Sequence, residues 1–574
     1  MMDSRAFRKV LRKAGFAGKF PSRKAFGFGG RVLNRNLEKA NRVLAVPLSN
    51  AQRTGGTLTE DGAKHLKRST QNTVFVTPET TIFVRSVNMT GKTKNQKFLT
   101  DNLEASIMAV GVRNVFLVCV DGLTSQLNAA KAMEDKFHWI FAQRCATHGG
   151  SLLLIDLATF FAEDIKLCLE IVAFILNHDE IYGAFLELGL PMVKQEVDTR
   201  FASTTIACES VLVVWDDLQS FFVSRRVKAY IEKVDKTSSA TKLPSEKIAK
   251  IVMELGSVVR RERIQTFIDI VIPVRTFLRV TDSHKPHLHI IPKAFDAAVM
   301  KAMEAVAEHL QGPARHELNN LATFVKECVE KRRSDCVSRI SLAAAAVNPK
   351  NLYAADRYEP AGCVDALHWA IEKYYQGDDD KINAAIKQYT QLYERSPTSY
   401  FGTPRAESFL ASLDEHDVQH FFAQAAQRGA EPPRELCELG RKLVSQIGGQ
   451  GASEHCNHEV SRTRTKARNR QTSETTNALM KIKSAVRYES RNEEVVNGER
   501  FDKKSVLKRT FIEALAEEFS HVREEHAFAV AEEKESANST SGHDTEHHET
   551  ETAVEHQWRQ FVVDAIEDGV QSSE

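Results

Sequence analysis

Asn114-Val-Phe-Leu-Val-Cys-Val-Asp-Gly122 is the stretch on which the reading of this chain turns. Residues 115–120 are apolar without alternation and of strand length, the pattern of a strand buried on both faces. The strand stops on an aspartate followed by glycine. Asp-Gly is a common turn, so Asp121 alone is no more than a strand end. Phosphodiester chemistry at a metal pair, however, needs carboxylates converging from separate elements, and the mouth of a buried strand is a place to hold one.

Upstream, Leu58 leads in a short strand-like approach to Asp61-Gly62. Residues 73–77 are β-branched and apolar, Pro78-Glu79 turns the chain, and residues 81–87 resume as a strand. Residues 95–111 read as an amphipathic helix leading to the buried strand. Strand, strand, strand, helix, buried strand is the order of an RNase H-like core. Its first strand carries one metal-binding carboxylate, and its central parallel strand ends near another. Asp61 and Asp121 fall at those two places. Carboxylates aimed at one point repel each other unless a cation neutralises them.

The composition excludes several classes. A chain of 574 residues exceeds a single core. With 42% hydrophobic and 27% charged residues it reads as a soluble globular protein. It contains no apolar run of membrane-spanning length and no apolar signal core. The nine cysteines are scattered singly with no Cys-x-x-Cys pair, which fits a reducing compartment and leaves no cysteine-pair zinc finger. The net charge of +1 hides a strong asymmetry: residues 1–40 hold eleven Lys/Arg against two acids. Arg462, Arg464, Lys466, Arg468 and Arg470 form a second basic stretch, and the chain after Phe511 is acidic. Such a division suits a polyanion partner as well as ordinary solvated faces.

Residues 163–435 read as mainly helical. Residues 165–176 are an apolar helix. Helical spacing recurs over 294–310 and over 381–393, where Ile382, Ile386, Tyr389 and Tyr393 share a face. Residues 341–347 are helix-prone, with Pro349 as the stop. After Pro432-Pro433 another amphipathic helix covers 435–447, and Gly448-Gly-Gln-Gly451 separates it from the segment carrying Glu454. Residues 536–551 are polar and are expected to be disordered, their His/Asp/Glu cluster being a charged linker.

Residues 118–133 (Val-Cys-Val-Asp-Gly-Leu-Thr-Ser-Gln-Leu-Asn-Ala-Ala-Lys-Ala-Met) and 137–148 (Phe-His-Trp-Ile-Phe-Ala-Gln-Arg-Cys-Ala-Thr-His) together resemble the catalytic domain of hAT-family transposases. That family has an Asp ending a buried strand, an Asn/Ala-rich helix and a Cys-x-x-His element. Its Thr-Arg-aromatic element is matched by Asp198-Thr-Arg-Phe-Ala-Ser203, and its C-terminal segment by Ala452-Ser-Glu-His455 and Thr465-Lys-Ala-Arg-Asn-Arg470. The likeness covers roughly residues 51–490.

The resemblance implies an α/β RNase H-like core interrupted by a large all-α insertion, with a disordered acidic tail. The divisions are 1–50 (basic segment), 51–162 (core, first part), 163–435 (helical insertion), 436–494 (catalytic helix and dimerisation segment) and 495–574 (tail). It also implies a DNA transposase whose Asp61, Asp121 and Glu454 hold Mg²⁺ or Mn²⁺ and cleave and transfer DNA strands. DNA contacts would come from His148, Arg200, Arg462, Arg464, Lys466, Arg468 and Arg470, in a homodimeric or larger assembly within the nucleus and away from membranes. Cys145 and His148 are too few for structural zinc. A DNA-contacting His148 and a hydrogen-bonded core His148 remain equally open.

The chain departs from the family at Asp61-Gly-Ala63, which lacks the usual aromatic, at His455 in place of Arg, and at Asn457 and His458 in place of an aromatic and a Ser. These departures support the alternative of a domesticated, catalytically inactive DNA-binding or dimeric scaffold or transcription-regulatory protein.

Overall fold

The computed structural model describes residues 30–65, 68–92, 95–195, 202–237, 244–429, 431–463 and 472–497. These residues are mostly helical, with one small mixed sheet near the N-terminus. The basic residues Arg200, Arg464, Lys466, Arg468 and Arg470, the side chain of Arg462, and the acidic tail lie outside what is described.

Two compact units divide the chain. The described part of the first runs to Gly149, takes in Arg279–Lys293, and resumes from Asp335; the second comprises Gly150–Leu278 and Ala294–Ser334. In the first, helix α1 (Arg31–Thr54) precedes strands β1 (Thr57–His65), β2 (Arg68–Val76) and β3 (Thr81–Asn88). Helix α2 (Gln96–Val110), strand β4 (Leu117–Val120), helix α3 (Thr124–Lys136) and strand β5 (Phe141–Arg144) come next. The sheet order is β3-β2-β1-β4-β5; β1–β2 and β2–β3 are antiparallel, whereas β1–β4 and β4–β5 are parallel. All of β4 is buried, as its unbroken apolar run requires. Asn95 caps α2 by accepting from the Phe98 N–H at 2.9 Å, and the left-handed Gly111 ends it.

Helices α4 (Ala146–Ala158), α5 (Ala162–Leu176), α6 (Asp179–Leu186), α7 (Ala202–Val213), α8 (Trp215–Phe222), α9 (Arg225–Thr237), α10 (Pro244–Leu255), α11 (Val258–Thr281), α12 (Ile291–His309) and α13 (Leu321–Cys336) lie nearly all within the second unit. The chain then returns to the first unit through α14 (Arg339–Ala346), α15 (Pro349–Leu352), α16 (Cys363–Tyr374), α17 (Asp379–Tyr393), α18 (Pro404–Ser412), α19 (Gln419–Ala425), α20 (Arg434–Val444), α21 (Gly451–Thr463) and α22 (Ser473–Asn497). Pro349 does more than end α14. It takes the first position of α15, where its missing N–H costs nothing, under the Asn348 cap.

Period-two alternation gives the sheet two apolar faces. Leu58, Phe75 and Val118 pack with Leu44 of α1, Leu99, Leu103 and Ile107 of α2 and Met133 of α3. Val74, Val76 and Phe83 face the other way, onto Ala452, Cys456 and Val460 of α21 and Met480 of α22. Helix α22 also covers the β3 edge: the Phe83 N–H donates to Ser484 Oγ and the Ser86 N–H to Asn477 Oδ1, each at 3.1 Å.

One carboxyl breaks the first apolar face. Glu60, 3% exposed, accepts from Thr73 Oγ1 at 2.8 Å, Asn102 Nδ2 at 3.0 Å and Gln71 Nε2 at 3.2 Å. Burial outweighs these bonds and pushes its carboxyl up to about 7 from 4.5. A group whose pKa is raised by folding lends stability in full below its unfolded value and loses it as pH rises through the folded one. Wild-type stability relative to Glu60→Gln is therefore expected to fall between pH 4.5 and about 7. Urea titrations across that range should show this convergence, and parallel curves would refute it.

In the second unit a buried acid gathers two arginines. Asp164 of α5 is 1% exposed and accepts from Arg260 Nη1 at 2.6 Å and from Arg263 Nη2 at 2.9 Å and Nε at 3.1 Å, both arginines belonging to α11. Arg260 also donates to Glu254 Oε2 at 2.9 Å.

Candidate functional site

The parallel register pairs Thr59 with Cys119 and Glu60 with Val120. One step further, Asp121 follows the last residue of β4. Asp61, expected to close a strand, instead lies midway along β1, which runs on through Gly62 to His65 and pairs Asp61 with Asn72 of β2. Alternation sends Thr57, Thr59 and Asp61 to the face opposite Glu60. The bonds on that face agree: Thr57 Oγ1 donates to Gln446 Oε1 at 3.0 Å, Thr59 Oγ1 to Ser453 Oγ at 3.1 Å, and Asp61 Oδ2 accepts from Asn457 Nδ2 at 2.6 Å. The Cys119 thiol points the same way, to the Gly448 carbonyl at 3.6 Å. Asp61 thus lies under α21, the helix that carries Glu454.

The connection from α20 to α21 is threaded through the same face. Buried Gln450 donates through Nε2 to the carbonyls of Glu60 at 2.9 Å and Cys119 at 3.2 Å, one residue before Asp61 and two before Asp121. One amide thereby ties the middle of β1 and the end of β4 to the first turn of α21, where the Glu454 N–H donates to the Gln450 carbonyl at 3.1 Å. Behind it, the Gly448 N–H donates to His287 Nε2 at 3.0 Å, while His287 Nδ1 lies 2.8 Å from the Lys285 carbonyl and is its donor. Burial pushes His287 down to about 3, so the ring stays neutral and keeps its acceptor nitrogen.

Each sequence-assigned carboxylate has a distinct setting. Asp61 is half-buried and held by Asn457, whose own Oδ1 accepts from Asn72 Nδ2. Asn457 stands where the resemblance places an aromatic, and it supplies a hydrogen bond in place of packing. Asp121 Oδ1 lies 2.8 Å from His148 Nδ1 and accepts from the Gly122 N–H at 2.8 Å. The His148 bond holds Asp121 below the usual carboxylate range, and the same bond raises His148 above its ordinary value, with Asp335 adding to the effect. A methyl at Gly122 would meet His148 Nε2 at 2.6 Å, so only glycine leaves room for this ring position. Glu454 is exposed on α21, one residue beyond Ser453, which faces the sheet.

His148 is therefore brought to Asp121 at the end of β4, whereas Arg200, Arg464, Lys466, Arg468, Arg470 and the side chain of Arg462 lie outside what is described. Cys145 is buried and its Sγ accepts from the His148 N–H at 3.4 Å. An all-oxygen set of Asp61, Asp121 and Glu454 has the donor chemistry Mg²⁺ or Mn²⁺ prefers. As placed, the three do not fit an ion: Asp61 is turned to Asn457 and Asp121 to His148. Among the described residues no three His, Cys, Asp or Glu side chains come close enough to hold one. Gln450 and Asn457 are the residues that sequence reasoning missed. The glycines around Gln450 marked a break, but nothing marked its amide as the tie between strands.

Against known families, the model of a domain of unknown function, DUF659, matches residues 25–175, a span that includes α1, the whole sheet and His148. No curated protein matches the chain. Among the described residues no helix is long and apolar enough to cross a membrane.

Proposed function

We propose that this chain is a hAT-like, transposase-derived protein that acts on DNA through an RNase H-like core, with Asp61, Asp121 and Glu454 as its candidate catalytic acids. The observation that carries the reading is the placement of Asp61, midway along β1, beside Asp121, just past the end of the adjacent parallel strand β4, with Asp61 bonded to the helix bearing Glu454. The sheet order β3-β2-β1-β4-β5, antiparallel then parallel, supports the core assignment, as does the match to DUF659, a domain found in transposase-like proteins. By donor chemistry these three acids would take Mg²⁺ or Mn²⁺, and only after Asp61 leaves Asn457 and Asp121 leaves His148. Of this chain's own residues, Gln450 fixes the middle of β1, the end of β4 and the start of α21, and His148 orients Asp121. Self-association and a nuclear location belong to the same proposal.

The second reading, a non-catalytic DNA-binding or dimeric scaffold or regulatory protein on the same core, is favoured by one observation. Both aspartates are already engaged by neighbouring side chains, and no three-ligand group is formed among the described residues. The two readings part on one assay. Supercoiled plasmid carrying the DNA that flanks this gene is incubated with the full chain and Mg²⁺. The catalytic reading expects nicking in wild type and a loss of at least about a thousandfold in Asp121→Asn, the scale of removing one member of a catalytic constellation. Equal, background-level nicking by both proteins, with DNA binding intact, selects the scaffold.

A further inference from the structure

The other end of the sheet carries the opposite charge. Arg53 lies in the last turn of α1, just ahead of β1, and Arg113 just ahead of β4, at the ends remote from Asp61 and Asp121. The close of α20 brings in Arg441 and Lys442. Lys442 is buried and donates to the Gln52 carbonyl at 2.8 Å, which fixes this turn against Arg53. Arg113 stacks on Trp139 with its guanidinium carbon 3.7 Å from the ring centroid, leaving its donors outward.

No described carboxylate forms an ion pair with Arg53, Arg113, Arg441 or Lys442, and Arg441 Nε is buried without a partner. The acids in electrostatic reach are otherwise engaged: Glu79 accepts from Asn50 at 2.8 Å and Tyr488 at 3.4 Å, and Glu438 accepts from Tyr374 at 2.7 Å. Burial together with Arg53 lowers Arg441. Burial, with Arg441 and Arg113 and against Glu438, pulls Lys442 down to about 8. Cations gathered this way repel one another, and an anion in their midst relieves the repulsion.

The cluster continues as a line. Arg35 and Arg42 precede Arg53 on α1 by whole turns, so all three lie on one face, and all three are exposed. The rise from Arg35 to Arg53 is about 27 Å. Glu38 lies between Arg35 and Arg42, Glu489 meets Lys39 of the same side at 3.6 Å, and Glu79 reaches Asn50, one turn before Arg53, at 2.8 Å. A line of arginines of that length along α1, which carries Pro47 between Arg42 and Arg53, ending beside Arg113 and the unpartnered Arg441 Nε, suits a repeating phosphate backbone better than a single small anion.

We propose that the row Arg35, Arg42, Arg53, ending on Arg113 and Arg441, binds the phosphate backbone of duplex DNA without reading its sequence, with buried Lys442 holding the turn beneath it. It would give the protein a second DNA contact on the end of the sheet away from the acids. This rests on the reading of the chain as a DNA-acting protein, but not on catalysis. The test is fluorescence anisotropy of the full chain with two labelled duplexes of unrelated sequence, over a series of salt concentrations. Arg42→Gln/Arg53→Gln/Arg441→Gln is expected to weaken both duplexes alike by roughly tenfold or more. It should also make the slope of log affinity against log salt shallower by about 3, near one unit per phosphate contact. The triple Arg→Lys variant should keep the wild-type slope.

Because Arg42 and Arg53 are exposed, the double Gln variant keeps the test open should the triple fail to fold, as judged by circular dichroism and thermal melting. An unchanged slope in a folded double variant overturns the proposal. So does a loss confined to single-stranded RNA or to an acidic polypeptide with duplex binding intact. Asp121→Asn is run alongside: absence of nicking with row-dependent duplex binding overturns catalysis alone, whereas nicking with row-independent binding overturns the row alone.

Discussion

Gly449→Ala is expected to destabilise the first unit by about 3 kcal/mol or more, the upper range for forcing a methyl into a filled site. The added methyl would fall on the Thr281 carbonyl oxygen and within 2.6 Å of Thr147 Oγ1. The carbonyl cannot rotate away without moving the end of α11, and the loop cannot retreat because both neighbours are tied. Gly448 is bonded to His287, and Gln450 to the carbonyls of Glu60 and Cys119. The strain therefore passes into the middle of β1 at Asp61, the end of β4 at Asp121 and the first turn of α21. A contrasting substitution is available at Gly183 inside α6, where an added methyl meets nothing within 4 Å. There alanine should be neutral or stabilising by up to about 1 kcal/mol. Thermal and urea melts of the two variants should move in opposite directions. If Gly449→Ala melts with the wild type, the loop is not threaded as tightly as its contacts require.

The second large effect is expected at Asp164. Its carboxylate is the shared acceptor of Arg260 and Arg263 at the α5–α11 contact, and Arg263 additionally reaches the Phe160 carbonyl at 3.3 Å. Removing one partner of a buried ion group leaves charge without compensation, at a cost of about 3–5 kcal/mol. Asp164→Ala strands two guanidinium groups, of which Arg260 keeps Glu254 and Arg263 keeps only weaker neighbours. Asp164→Asn retains the volume and some acceptor capacity and should cost less. Urea denaturation of Asp164→Ala checks the magnitude. A loss under about 1 kcal/mol, the scale of an exposed pair, would mean that both arginines reach water once the acid is gone.

Much of the sheet could be read from the chain because its strands announce themselves physically. The apolar run at 115–120 contains β4, with every residue buried, and the segments at 73–77 and 81–87 fall largely in β2 and β3. Asn95 and Gly111 bounded α2 correctly because a side-chain cap and a left-handed residue are local requirements. Strand β5 did not stand out: Phe141-Ala-Gln-Arg144 is short, and only its pairing with β4 makes it a strand. Glu60 was hidden for a similar reason. A charged residue beside Asp61 reads as surface, and its burial depends on Thr73, Gln71 and Asn102 arriving from other elements. The site divides along the same line. Asp121 was visible from the end of β4, whereas Asp61 sits inside β1, which continues through Gly62, and the partners that engage the two, Asn457 and His148, are matters of tertiary contact.

The cover on β3 sets a timetable for making this protein. Ser86 donates its N–H to Asn477, 391 residues further along the chain. At roughly 5–20 residues per second, that cover is synthesised about 20–80 seconds after the strand it protects. Throughout that interval the β3 edge has hydrogen-bond donors but no partner, the condition in which exposed strands recruit one another. The region matched by DUF659 is made early yet completed late, since Gln450, Ser453 and Ser484 all come from the last described helices and the loop before them. A nascent chain therefore has to be kept apart from its neighbours until α22 has been made, and a message truncated before α22 would release a product with that edge still open.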